Sequence, residues 1–266
     1  MKENETKRAV LLKQRAKRRF GQHFLISERV IARTLEAAGL SQGDKVVEIG
    51  PGLGALTVHM LDQPIELLCV ELDSDLVELW KEAEPSLNIV HEDALRVDWS
   101  EILVDEGWKC VSNLPYNVGT PILSRLLVTP QVAQLVVMLQ KEVVERLIAL
   151  PSERKRGSLS CWAQSFADVE FVCRVPPGAF SPPPKVESAV VKLTKKKSPL
   201  ICIEEAARWE RFLRCLFAQP RKMTRNNLKK LSFISPPSQS ILHKRPFQLE
   251  QEEVIELYAC LAPEIV

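Results

Sequence analysis

The chain has 266 residues, 45% of them apolar and 26% charged, which argues against disorder and allows one or two domains with a buried core. It holds neither the apolar run of ~7 to 15 residues of a signal peptide nor the ~18 of a membrane span, and its seven cysteines form no C-x-x-C pair, so we expect a soluble cytoplasmic protein without a metal site or disulfide framework. The net charge of +2 conceals basic stretches at residues 1–19 and 185–230, which suit a polyanionic partner, although solvated helix faces are the alternative.

From Gly43 onward, short apolar runs rich in β-formers alternate with runs of helical spacing. In chain order these are KVVEIG, ALTVHMLDQ, ELLCVELD, SDLVELWKEAE, NIVHEDAL, KCVSNLPY, PILSRLL and QLVVMLQK. The alternation predicts an α/β fold with a doubly wound, Rossmann-like parallel sheet. We interpret the later runs LSCWAQSFADVEFVCRVP and SAVVKLTKK as antiparallel edge strands that close this sheet.

A break in composition follows at residues 195–199. Beyond it, EEAARWERFLRCLFAQ, TRNNLKKL and QEEVIELYACL have helical spacing, and a proline-rich turn, SPPS, lies between the last two. We therefore predict a catalytic domain over residues 1–197, which includes a basic N-terminal extension, and a small all-helical domain over residues 198–266.

The segment VVEIGPGLGALT predicts a β-strand that leads into a glycine-rich turn and then a helix. Such a turn presents backbone N–H groups to a nucleoside or an anion, and Gly50, Gly52 and Gly54 carry no side chain to block the approach. The G-x-G-x-G spacing differs from the G-x-G-x-x-G of dinucleotide enzymes, and an acidic residue just before it, here Glu48, is typical of methyltransferases. The loop thus favours S-adenosylmethionine as the cofactor.

The next two strands each end near a carboxylate. LLCVELD ends in Glu71, where a carboxylate would accept hydrogen bonds from both ribose hydroxyls. NIVHEDAL places Asp93 at the carboxyl end of its strand, where it would accept from the adenine amine of the cofactor. The alternatives are a surface carboxylate for Glu71 and a helix cap for Asp93, but their register at successive strand ends favours a cofactor site.

The fourth strand ends in Asn113-Leu114-Pro115-Tyr116, which predicts the reaction. The N6 nitrogen of adenine is a poor nucleophile because its lone pair is delocalised into the ring. Asn113 Oδ1 and the Leu114 carbonyl, held in direction by Pro115, would accept the two N6 hydrogens and stabilise the charge that develops during methyl transfer. Tyr116 would stack the base; a turn with a packed tyrosine is the alternative.

A second aromatic residue, Phe180, stands at the start of FSPPPKV. The three prolines stiffen the chain and hold the preceding ring at a fixed angle. We predict that Phe180 covers the other face of the target base, whereas a phenylalanine that plugs the core beside a proline-rich loop is the alternative.

Over nearly its whole length the sequence resembles the ribosomal RNA adenine dimethyltransferases, the KsgA family. The motifs that carry the resemblance are, in order, GQHFL, EIGPGLGALT, VELD, EDAL, NLPYN, FSPPPKVESAVV and RNNL. It implies an enzyme that places two methyl groups on N6 of each of two adjacent adenosines in the 3′-terminal hairpin loop of small-subunit (16S) rRNA. It also implies a role in ribosome biogenesis, through binding to an immature 30S subunit as an assembly checkpoint.

The resemblance also assigns site residues. The cofactor contacts fall on His23, Leu25, Gly50, Glu71, Asp93 and Asn113, beside Gly52 of the glycine loop, and the catalytic floor on Asn113, Leu114, Pro115 and Tyr116. The family often has Asn where this chain has His23, and a backbone contact there survives either residue. Arg156 stands where related sequences carry an aromatic residue, which puts in doubt any substrate-loop role of SERKRGSLS.

Basic residues supply the candidates for phosphate contacts with rRNA. They are Arg18, Arg19, Lys185, Arg221, Lys222 and Arg225. The RNNL segment could equally be a helix cap. A monomer is expected, since no exposed heptad pattern or apolar stripe demands a dimer.

Three other functions remain open at this point. One is an adenine methyltransferase on large-subunit rRNA, similar to the macrolide-resistance enzymes, which share the pocket motifs. Another is a ribosome-assembly or transcription factor that keeps the fold as a binding module, although the pocket motifs are intact. The third is a nicotinamide-dependent dehydrogenase, which has to be considered because fold alone does not settle function. The glycine spacing and the Asn-Leu-Pro-Tyr segment argue against it.

Overall fold

The computed structural model describes residues 23–261 of the chain, so two predicted RNA contacts, Arg18 and Arg19, lie outside the described residues. Its strands are β1 (Phe24–Leu25), β2 (Lys45–Ile49), β3 (Glu66–Glu71), β4 (Asn88–His91), β5 (Trp108–Asn113), β6 (Val132–Gln140), β7 (Ala167–Val175), β8 (Phe180–Ser181) and β9 (Ser188–Lys195). Its α-helices are α1 (Glu28–Ala38), α2 (Thr57–Met60), α3 (Ser74–Ala83), α4 (Trp99–Ile102), α5 (Gly119–Val128), α6 (Lys141–Leu147), α7 (Ser158–Phe166), α8 (Ala206–Leu216), α9 (Thr224–Leu228), α10 (Gln239–Leu242) and α11 (Gln251–Ala259).

Seven strands form one sheet in the order β4-β3-β2-β5-β6-β9-β7, and β1 pairs with β8 in a separate two-stranded ladder. The pairs β4-β3, β3-β2, β2-β5 and β5-β6 are parallel, whereas β9 is antiparallel to β6. Strand order reverses beside β2, because the chain builds β3 and β4 on one side and then crosses to β5 on the other. In open α/β sheets this reversal marks the ligand crevice at the carboxyl ends of the strands.

The central parallel strands β2 and β5 form because their side chains are mostly apolar on both faces, as a sheet covered by helices requires. Val46, Val47 and Ile49 of β2 are buried, as are Cys110 and Val111 of β5. Apolar burial therefore fixes the register in which the strand ends meet. The predicted Rossmann-like α/β fold is confirmed.

The chain divides into two compact units. One runs to Val144 and includes Glu170–Thr194; the other consists of Glu145–Val169 and the residues from Lys195 onward. The second unit thus resumes close to the predicted boundary at residue 197, but it also takes in helix α7, which we had placed in the first domain.

Helix α7 accounts for this difference and corrects one strand prediction. Residues 159–166, which we interpret from the sequence as part of an edge strand, are helical, and only β7 beyond them is extended. Cys161, Trp162 and Phe166 are buried with helical spacing, and α7 packs against α8 and α11 in the second unit. The Gln251 side chain adds a hydrogen bond from Nε2 to the Cys161 carbonyl at 3.0 Å.

Arg156, just before α7, is buried and belongs to the packing of the second unit. Its guanidinium donates to Gln164 Oε1 at 3.2 Å and to Gln251 Oε1 at 3.1 Å. A cation in this position holds neighbouring segments together from the inside of the unit. The structure therefore gives Arg156 a structural role in the second unit.

Residues 23–261 contain neither a helix able to cross a membrane nor a cluster of side chains able to hold a metal ion. None of the helices in that range combines the length and apolar character needed to cross a bilayer. In the same residues, His, Cys, Asp and Glu side chains nowhere gather in a group of three that could hold a metal ion.

Candidate active site

A cavity of about 220 Å³ opens at the carboxyl edge of the sheet in the first unit. The ends of β2, β3 and β5 and the segment around β1 supply its walls. Its lining includes all the residues predicted to bind the cofactor, namely His23, Leu25, Gly50, Gly52, Glu71, Asp93 and Asn113. It also includes the remaining members of the predicted catalytic floor, Leu114, Pro115 and Tyr116. One cavity therefore brings together the two sites that the motifs predict.

The glycine-rich loop follows β2 and bends through three left-handed residues. Gly50, Gly52 and Gly54 have φ values of +68°, +54° and +84°, a region that residues with a Cβ rarely adopt. The fully buried Trp80 of α3 lies beneath the loop and donates from Nε1 to the Gly52 carbonyl at 3.0 Å. A Cβ on Gly54 would lie 2.9 Å from the Trp80 ring. The indole thus supports the loop and leaves no space for a side chain.

We expect Gly54→Ala to destabilise the protein more than Gly43→Ala. The two glycines have nearly the same φ, +84° and +83°, but a Cβ at Gly43 meets nothing within 4 Å. Backbone strain lowers the free energy of unfolding by about 1–2 kcal/mol in both variants, and the collision with Trp80 lowers it by a further ~1–3 kcal/mol in Gly54→Ala alone. Denaturant unfolding measures the difference, and equal losses of stability would contradict the account of this loop.

Glu71 ends β3 and is held by backbone donors. Its Oε1 accepts from the N–H groups of Leu72 and Asp73, both at 2.9 Å, and its Oε2 accepts from Gly52 at 3.3 Å. Burial raises the pKa of Glu71, while these backbone hydrogen bonds lower it. A carboxylate has about four lone-pair sites, and these three donors leave one of them, on Oε2, for a ribose hydroxyl. The alternative of a surface carboxylate does not fit a residue that is 6% exposed.

Glu48, which precedes the glycine loop, is also buried and lines the cavity. Thr57 donates from Oγ1 to its Oε2 at 2.7 Å. Burial raises the pKa of Glu48 to about 8, and the nearby charge of Glu71 acts in the same direction. The side chain is therefore largely protonated near neutral pH and acts as a neutral hydrogen-bonding group below the loop.

This raised pKa predicts a pH-dependent stability. The folded protein holds a proton on Glu48 that the unfolded chain releases near pH 4.5, so the stabilisation is complete below pH 4.5 and is lost as pH rises through about 8. Thermal unfolding across this window should show a smaller decline of Tm in Glu48→Gln than in the wild type. Glu66→Gln, at the exposed start of β3, is the control and should follow the wild type. Parallel curves for Glu48→Gln and the wild type would refute this protonation.

Asp93 lies in the loop after β4 and lines the cavity. Its Oδ1 accepts from the Leu95 N–H at 2.9 Å, so one oxygen caps a turn, whereas the alternative was a helix cap and the next helix begins only at Trp99. Its Oδ2 lies 3.8 Å from Arg96 Nε, and the Asp93 side chain is 33% exposed. The geometry is compatible with both roles, and the contact with the adenine amine stays a prediction.

The Asn113–Tyr116 segment leaves β5 at the cavity. Asn113 donates from Nδ2 to the His23 carbonyl at 3.4 Å, which leaves Oδ1 as the acceptor group of that amide. The His23 ring stacks on Tyr116 with centroids 5.7 Å apart and an interplanar angle of 30°. His23 is also tied through Nδ1 to the Pro182 carbonyl at 2.9 Å. An amide oxygen and an aromatic ring thus stand together, as recognition of an adenine requires.

The predicted role of Phe180 is not what the structure shows. Its side chain is 3% exposed, belongs to the hydrophobic core and is not part of the cavity lining. In β8 successive side chains point to opposite sides, and it is Ser181 that is exposed while Phe180 pairs with Leu25 of β1. The alternative of a phenylalanine that plugs the core beside the proline-rich loop describes this position.

The predicted phosphate contacts lie on the surface of both units. Lys185 is exposed in the loop before β9, and Arg221, Lys222 and Arg225 are exposed around the start of α9. In RNNL, however, Asn227 accepts from the Gln219 N–H at 2.8 Å through Oδ1, which is a structural role. RNA binding at the four basic residues stays a prediction.

Sequence reasoning missed several residues of the site. Phe24 lies 3.3 Å from the position of a Cβ on Gly52, and Leu72, which follows Glu71, lines the cavity and is 49% exposed. Trp80 supports the loop from 28 positions away. Phe24 and Leu72 lie inside the motifs GQHFL and VELD, which was the available signal for them, whereas the contact of Trp80 has no sequence signature.

Comparison with known proteins places the chain in a family. A family model described as ribosomal RNA adenine dimethylase matches residues 13–258. A protein of Syntrophotalea carbinolica named ribosomal RNA small subunit methyltransferase A is 42% identical over 216 residues, which are 80% of this chain and 82% of that protein. A protein of the same name from Acinetobacter baylyi is 43% identical over 221 residues, which are 81% of this chain and 80% of that protein.

Two solved structures share the fold. A dimethyladenosine transferase from Plasmodium falciparum superposes with a TM-score of 0.73 at 24% identity and covers 88% of this chain and 96% of its own. The 23S rRNA methyltransferase ErmE superposes with a TM-score of 0.67 at 22% identity, over 88% of this chain and 98% of its own. The predicted enzyme class and S-adenosylmethionine as methyl donor are confirmed with the family. The chain belongs to the ribosomal RNA adenine dimethylase family, as its motifs predicted.

Proposed function

We propose that this enzyme transfers two methyl groups from S-adenosylmethionine to N6 of each of two adjacent adenosines in the 3′-terminal hairpin loop of small-subunit rRNA. One observation carries the proposal: the glycine loop, Glu71 and the Asn113–Tyr116 segment line a single cavity. Relatives at about 42% identity that are named small-subunit methyltransferases support the choice of rRNA.

In this site the cofactor supplies an activated methyl group, and the protein orients the acceptor. Glu71 and the glycine loop would hold the nucleoside of the cofactor, and Asp93 would accept from its adenine amine. Asn113 Oδ1 and the Leu114 carbonyl accept the N6 hydrogens of the target, which directs the nitrogen lone pair towards the methyl group. The proton leaves to water after transfer, so the segment needs no charged base.

The finer assignments belong to the same proposal. The substrate is rRNA within an immature 30S particle, the enzyme acts as a monomer in the cytoplasm, and residues from about 198 onward contribute to recognition of the subunit. The exposed Arg221, Lys222 and Arg225 in that part of the chain support the last point.

The experiment incubates methyl-deficient 30S subunits with S-adenosylmethionine and the full chain, and analyses the nucleosides by mass spectrometry. Dimethyladenosine at the two hairpin adenosines is the expected product. Methylation of a large-subunit substrate instead would identify the enzyme with the macrolide-resistance type. Tight binding to the subunit without methylation would identify an assembly factor that has kept the fold.

Loss of a basic residue in the second unit should weaken RNA binding in a salt-dependent way. We expect each of Arg221→Ala, Lys222→Ala and Arg225→Ala to reduce the slope of log Kd against log salt by about 0.7 to 0.9, since each phosphate contact releases a counterion. Lys81→Ala, which removes an exposed charge paired with Glu78 on α3, is the control. A slope unchanged in all three variants would exclude this surface.

A further inference from the structure

Tyr116 makes a second contact that the proposed function does not use. Its hydroxyl lies 2.5 Å from Ser188 Oγ, a hydrogen-bond distance. Tyr116 lines the cavity, whereas Ser188 is fully buried and is not part of the lining. Ser188 therefore lies behind the residue that faces the substrate.

The sheet topology places Ser188 at this point. Strand β9 is antiparallel to β6, so its first residue, Ser188, pairs with Gln140, the last residue of β6. Because β6 is parallel to β5, the start of β9 lies at the same edge as the end of β5, from which Tyr116 follows. The Lys141 N–H donates to the Glu187 carbonyl at 3.0 Å, and the two side chains form an ion pair. Backbone pairing thus fixes the serine against the sheet.

Two contacts together determine the position of the Tyr116 ring. The hydroxyl oxygen lies on the axis about which the ring rotates, so the bond to Ser188 fixes the direction of that axis but leaves rotation about it open. The broad, roughly two-fold χ2 torsion of tyrosine offers little resistance to that rotation. The stack with His23, at 5.7 Å and 30°, limits it. Direction and tilt of the ring therefore have separate structural causes.

We propose that Ser188 is a positioning residue, whose hydroxyl holds the Tyr116 ring in the direction needed to stack the target adenine. This inference rests on the proposed function of Tyr116. A ring held in place before the base arrives does not have to be ordered during binding, so the reacting nitrogen reaches the methyl group in fewer orientations. Ser188 touches neither substrate nor cofactor and acts through Tyr116.

A double-mutant cycle tests the proposal in the full chain. Ser188→Ala and Tyr116→Phe remove the same hydrogen bond from opposite sides, and Tyr116→Phe keeps the ring. We expect each to lower kcat about five-fold, the double variant to lose no more than either single variant, and Kd for S-adenosylmethionine to stay unchanged. Ser165→Ala is the matched control, because it removes an equally buried hydroxyl that donates to the Cys161 carbonyl within α7.

A spectroscopic readout is independent of activity. The chain has only two tyrosines, so tyrosine labelled with ¹³C at Cζ gives two NMR signals, and Tyr116→Phe identifies one of them. Burial raises the pKa of Tyr116 and the Ser188 hydrogen bond lowers it, so Ser188→Ala should shift this signal and raise the pKa further.

The outcomes separate the two claims. If the wild type is active, two results would each overturn the role of Ser188 alone. One is an unshifted Tyr116 signal in Ser188→Ala, and the other is additive losses of kcat in the double variant. A wild type that binds 30S subunits without methylating them would contradict the proposed function instead.

Discussion

Replacing Asn113 with alanine is expected to lower kcat for methyl transfer by about 10²- to 10³-fold, the loss seen when one preorganised hydrogen-bonding group is removed from a transition state. The amide nitrogen of Asn113 is used on the His23 carbonyl, so Oδ1 is the group that accepts from N6. Without this acceptor the N6 lone pair remains delocalised into the ring. Single-turnover transfer of labelled methyl groups to 30S subunits measures the loss.

The matched control is Asn88→Ala, which removes the same side chain from the exposed start of β4. It should methylate like the wild type. Kd for S-adenosylmethionine, measured separately by calorimetry, should change less than kcat in Asn113→Ala. If Asn113→Ala kept more than about a tenth of the activity, well outside the loss expected for such a group, the proposed orientation of N6 would be wrong.

Glu71→Gln should weaken the binding of S-adenosylmethionine by about 100-fold. The carboxylate accepts from three backbone N–H groups and, in the proposed complex, from the cofactor ribose through its remaining lone-pair site. An amide replaces one acceptor oxygen with an NH₂ group, which would face either the Gly52 N–H or those of Leu72 and Asp73. Hydrogen bonds to a charged group are worth about 1.5–3 kcal/mol each, so the loss of one or two accounts for this factor.

Isothermal titration calorimetry with Glu71→Gln and Glu66→Gln tests this directly. Glu66 is exposed at the opposite end of the same strand, so its variant carries the same chemical change away from the cavity. It should bind the cofactor like the wild type. Equal affinities for both variants would show that Glu71 does not hold the ribose.

The residues of the cofactor site were predictable because parallel strands end at one edge of a sheet. Glu71 and Asn113 follow apolar runs whose strand character was evident. The glycine spacing identified the loop after β2, the strand that lies between β3 and β5 in the sheet. The local sequence was therefore enough to predict that each of these residues lies in a strand and at which end of the strand it lies. The family resemblance added His23 and Leu25, which no pattern in the chain would have placed in the cavity.

Contacts between distant side chains were not predictable in this way. Tyr116 and Ser188 are 72 positions apart, and their contact depends on the antiparallel return of β9. The Phe180 prediction was based on the stiffness of the prolines, but the direction of that ring depends on pairing with Leu25. The strand prediction for residues 159–166 was wrong because a short apolar run does not distinguish a buried helix from a buried strand.

The pairing of β1 with β8 constrains the order in which a growing chain can complete its cavity. One wall contains His23 and Leu25, which are made early, but their partners are Phe180 and Pro182, and the His23 bond spans 159 positions. A chain still on the ribosome can form the glycine loop and the Glu71 strand long before this wall can close. Completion of the wall must therefore wait until residue 182 has left the exit tunnel.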